Sequence, residues 1–130
     1  MPTTERRTRR SDDIITALHY QLASMRRQGE LEALVLVDDS GCLVAGAGAW
    51  PTCEELAAYA PLLARPSEVR SHVVGSRVAA LHRDVLVQAL SVDGVEVLLC
   101  GRGGSAERAG VVDLAAAGCR RILEQPSRAA

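Results

Sequence analysis

The chain has 130 residues, 48% of them hydrophobic, and a formal net charge of −1. That length suits one domain burying roughly two-thirds of its unfolded surface, and the apolar content excludes global disorder. With no Phe, one Trp and two Tyr it lacks the stacking platforms of a single-strand nucleic-acid binder, and its near-neutral charge gives no pull toward nucleic acid or membrane.

The first ten residues hold Arg6, Arg7, Arg9 and Arg10 against Glu5 and read as a flexible basic arm. If the arm acts, its target is an acidic protein surface or anionic lipid headgroups. Ser11 can cap a helix with Asp12 and Asp13 in its first turn, and Ile14, Leu18, Leu22 and Met25 repeat at helical spacing before Gly29. Ala33–Asp38 reads as a buried strand, Asp39-Ser40-Gly41 as its turn and Cys42–Gly46 as the hairpin partner. Thr52 and Glu55 fit a capping box opening a helix over Thr52–Ala64, which Pro61 should kink or shorten.

Residues 64–72 read as a polar connection, followed by three predicted strands. These are Val73–Leu81, Val85–Ser91 and Val95–Cys100, with turns at His82-Arg83-Asp84 and Asp93-Gly94. After Gly101–Gly104, Ser105 is expected to cap a last helix running to about Leu123, with Val111, Leu114, Ala115, Cys119 and Ile122 facing inward. The domain is expected over residues 11–124, with a flexible tail at 125–130. The order αββαβββα, with five mostly antiparallel strands, predicts an α/β sandwich rather than a doubly wound sheet.

Few residues offer chemistry. All the basic residues are Arg, which excludes a Walker-type phosphate loop and a Schiff-base lysine. Gly46-Ala47-Gly48 lacks the third glycine of a dinucleotide fingerprint, since position 51 is Pro, and so reads as a loop. Gly103, Gly104 and Ser105 precede a helix and are the better candidate for an anion-binding loop, against the plain reading of a strand-to-helix turn. His82-Arg83-Asp84 copies three letters of a kinase loop, but the metal-holding Asn is replaced by Ala89.

Cys53 sits where a helix start favours thiolate, although Glu54 and Glu55 oppose it. The four cysteines and three histidines show no metal-ligand spacing, so no metal or cofactor is expected. Neither a secretory signal nor a spanning segment is legible, and the expected compartment is the cytoplasm, with reduced thiols.

Three stretches, "LEALVLVDDSGCLVAGAG", "SRVAALHRDVLVQALSVDGVEVLLCG" and "VVDLAAAGCRRIL", together with the order of elements, resemble the roadblock/dynein-light-chain domain family, of the bacterial small-GTPase-regulator type. The similarity covers roughly residues 12–123. It implies a roadblock/profilin-like fold, a homodimer made by the second helix and third strand, and a regulatory or scaffold role beside a Ras-like small GTPase, without a catalytic side chain. Carried to this chain, the dimer or partner surface is Leu56, Tyr59 and Leu63 on the helix, with Val74, Arg77, Val78 and Leu81 on the predicted edge strand, part of this set packing on its own sheet. Arg65, Arg70 and Arg77 are the candidates for an arginine supplied in trans. The ten-residue arm and Pro61 depart from the family pattern. The alternative reading is a small-molecule-sensing α/β sandwich with an internal pocket.

Overall fold

A computed structural model describes the backbone of residues 2–128 and the side chains of residues 12–124. Helix α1 spans Pro2–Gly29, strands β1 and β2 span Leu31–Asp38 and Leu43–Gly48, and helix α2 spans Trp50–Ala64. A 3-10 turn at Pro66–Glu68 leads to α3 (His72–His82), β3 (Val85–Val92), β4 (Val95–Gly103) and α4 (Arg108–Arg128). The strands form one antiparallel sheet in the order β2-β1-β4-β3.

Alternation along the central strands makes a three-layer sandwich. Leu34, Leu36 and Leu99 face α1 and α4, where Leu18, Leu22, Ala115 and Cys119 complete a fully apolar cluster. Val35, Val37, Leu98 and Cys100 point the other way and meet Cys53, Leu56 and Ala60 of α2 and Val78 and Leu81 of α3. A strand buried on both faces reads as the continuous apolar run seen in β1. Two hairpins hold the register. At the second, Asp93 and Gly94 both take positive φ, 51° and 80°, the geometry a two-residue hairpin turn requires. At the first, the Asp38 carboxylate accepts from the Ser40 hydroxyl at 2.7 Å and from the Ser40 and Cys42 amides at 3.0 and 2.9 Å.

The structure corrects the expected element order at one position: four strands replace five, because residues 72–82 are helical. Ser71 caps α3, its hydroxyl accepting from the Val74 amide, and Val78 and Leu81, three apart, form the buried side. The valine-rich run reads as a strand only if the cap and this spacing are passed over.

Smaller corrections follow the same logic. The expected capping box at Thr52 is not formed. The N-cap is Ala49, without a side-chain bond, and Pro51 in the first turn starts the helix instead. Helix α2 runs through Pro61 to Ala64. Strand β2 continues past Gly46 through Ala47 and Gly48, so the expected glycine loop is the end of the strand. On α4, Val112 and Ala116 are buried while Leu114, expected inside, is 60% exposed. Helix α1 begins at Pro2 and α4 ends at Arg128, so residues 2–10 and 125–128 are helical backbone. Ser11, expected to cap the first helix, lies inside α1 instead, and the arm's arginines fall outside the residues whose side chains are described.

Candidate functional site

The sheet ends in two different edges. On the β2 side, the His19 ring of α1 sits against the strand, with Nδ1 3.0 Å from the Gly46 carbonyl oxygen. On the β3 side, the strand "VLVQALSV" pairs only with β4 among the described residues, and it carries neither charge nor Pro. An edge of this kind is a template for another chain. Beside it lies an open groove of about 490 Å³ lined by Leu63 and Ala64 of α2, His82 of α3, and Val85, Leu86, Val87 and Ala89 of β3.

The seven residues expected at a dimer or partner surface fall into three groups. Leu56, Leu63, Val78 and Leu81 are buried within the chain's own α2/α3 core. Tyr59 and Val74 are half-buried at the border of that core. Arg77 is paired with Glu55, which ties α3 to α2. Because 72–82 is a helix, the open strand is β3, and Leu86, Val87 and Ala89 are the edge residues that the sequence reading passed over. Their signal was present: eight consecutive residues with no charge to guard an edge.

A network of charges surrounds the ends of β1 and β4. The Arg102 guanidinium lies 3.4 Å from Glu55, 3.5 Å from Glu32 and 3.6 Å from Asp84, and Arg108 lies 3.7 Å from Asp84. Three carboxylates thus pair with the arginines 77, 102 and 108. Of the three arginines considered for action in trans, Arg65 is paired with Glu96 and Arg77 with Glu55. Arg70 is exposed and forms no ion pair among the described residues.

The loop ahead of α4 spends two of its amide donors on the backbone. The Gly103 amide donates to the Asp84 carbonyl and the Ser105 amide to the Gly29 carbonyl, while the Ser105 hydroxyl accepts from the Glu107 amide. Arg108 donates to the carbonyls of Asp84 and Gly103 and so closes the loop from outside.

Cys53 is buried, its thiol donates to the Ala47 carbonyl, and desolvation pushes its pKa up despite Arg26, so it is held as a thiol. Burial alone pushes Cys100 to about 12 and Cys119 to about 11. Among the described residues no cluster of His, Cys, Asp or Glu could hold a metal ion, and no helix is long and apolar enough to cross a membrane.

No protein-family model matches the sequence, and no curated protein matches it. Solved structures do. The chain is similar to MglB from Myxococcus xanthus at 15% identity and a TM-score of 0.52, covering 88% of this chain and 90% of that one. The gliding protein MglB from Thermus thermophilus gives 16% identity and a TM-score of 0.57, over 86% and 92% of the two chains. A structure described as MglB with tetrameric arrangement gives 14% identity, a TM-score of 0.53 and coverage of 86% and 91%. The likeness spans nearly the full length of each, so the α/β architecture is shared, and the resemblance to roadblock-type proteins holds at the level of fold.

Proposed function

We propose that this protein is a non-catalytic, homodimeric regulator or scaffold that acts with a Ras-like small GTPase in the cytoplasm. The observation that carries the reading is the fold shared with MglB along almost the whole chain. It is supported by the roadblock-type resemblance, which implies a GTPase partner, and by the unguarded β3 edge, which suits pairing with a second copy. The tetrameric arrangement described for one MglB structure is in keeping with assembly of such chains. An activating role would rest on positioning the GTPase's own groups, with Arg70 the arginine best placed to act in trans.

The test takes the purified chain and the Ras-like GTPases of the same genome. Binding to one of them in its GTP-loaded form, with a change in hydrolysis or a stable complex, is expected. Failure to bind any of them in either nucleotide state would overturn the reading.

A further inference from the structure

Between α1 and β2 runs an open groove of about 430 Å³, on the opposite edge of the sheet from β3. Gly46, Ala47 and Gly48 form its floor, and Thr16, Tyr20 and Arg26 stand among its walls. Among the described residues no carboxylate lines it, while two hydroxyls and a guanidinium do. Arg26 is pinned through Nε to the Glu32 carbonyl at 3.1 Å and forms no ion pair among the described residues. The nearby Glu32 carboxylate engages Arg102 instead.

Exposure points the same way. Tyr20 is 74% exposed on the groove wall, and Trp50, two residues beyond the floor, is 54% exposed. In a chain with only three aromatic residues, two stand in solvent, and Tyr20 is the one that lines the groove. Trp, Tyr and Arg are the residue types that dominate protein–protein binding energy.

We propose that the α1/β2 groove binds an extended, acidic segment of a protein partner, its carboxylates meeting Arg26 and the two hydroxyls and its backbone lying over Gly46–Gly48. The positive, carboxylate-free lining selects the sign of the partner. Simple strand addition to β2 is hindered, because His19 already occupies the Gly46 carbonyl. The site is separate from the β3 edge and does not depend on the GTPase assignment.

Fluorescein-labelled ten-residue peptides alternating Glu and Val, or Lys and Val, provide the test by anisotropy, with emission from the sole tryptophan as a second readout. The Glu peptide is expected to saturate below about 100 µM and to weaken with salt, and the Lys peptide not to bind. Arg26→Glu and Tyr20→Ala should each weaken binding about tenfold or more, whereas Arg83→Glu, a charge reversal at an exposed turn elsewhere, should not. Tyr20 is so exposed that its truncation leaves folding intact, which keeps the test valid if Arg26→Glu fails to fold. Equal binding of both peptides, no saturation up to about 1 mM, or an equal effect of Arg83→Glu would overturn the proposal. A drop in solution mass on Arg26→Glu would also overturn it, by making the groove a contact between copies of this chain.

Discussion

Single residues show where the fold has no slack. Gly48 ends β2 at φ +119°, and a Cβ there would stand 2.6 Å from the Glu32 carbonyl oxygen and 3.0 Å from Ala33 Cα. Both obstacles are backbone, so Gly48→Ala should destabilise the protein by about 2 kcal/mol or more, read from the urea midpoint. Asp38 gives a pH prediction. The Ser40 hydroxyl, followed by the Cys42 amide, holds its carboxyl below the ordinary value of 3.8. A carboxyl whose pKa is depressed on folding contributes stability above its unfolded value and loses that contribution as pH falls through the folded one. Asp38→Asn should therefore be less stable than the parent near neutrality, with the gap closing on acidification below about pH 4. A gap that stays constant with pH would mean the turn does not depend on the charge.

At the scale of elements, α3 separates what the sequence discloses from what it conceals. Val73, Val74 and Val78 have strand character, and Gly75 breaks helix propensity, so composition favours a strand over 73–81. The helix wins through a Ser71 cap, burial of Val78 and Leu81, and the Arg77–Glu55 pair, the last of which joins residues far apart in sequence. Local pattern cannot report such a contact, and for the same reason Glu55 reads as half of a capping box until the structure pairs it with arginines. The hairpins were legible because Asp39-Ser40-Gly41 and Asp93-Gly94 carry their turn chemistry locally. Gly75→Ala tests the assignment directly. A Cβ at Gly75 meets only Val69 Cγ1, at an ordinary 3.5 Å. The substitution should raise stability by about 0.5–1 kcal/mol with an unchanged denaturant slope, the gain expected in a helix interior. Loss of stability would point back toward an extended segment.

For the whole molecule, the lost fifth strand moves the exposed edge. The candidate interface was legible as an idea, an unprotected strand beside the second helix, but its address was not, because the segment assigned to that edge folds as α3. What remains open is β3, with Leu86, Val87 and Ala89 beside a groove that reaches Leu63 and Ala64. If two copies pair along this edge, a charge planted there should separate them. Ala89 is exposed, so Ala89→Arg leaves both cores intact and should change protomer stability by less than about 0.5 kcal/mol. Light scattering across a dilution series should show the parent as a dimer, and the variant as a monomer whose association is at least about tenfold weaker. The edge, rather than the buried Val78 or Leu81, is then the surface that makes the assembly. A variant that remains dimeric would place the contact on another face, with exposed Leu114 of α4 the next apolar residue to charge.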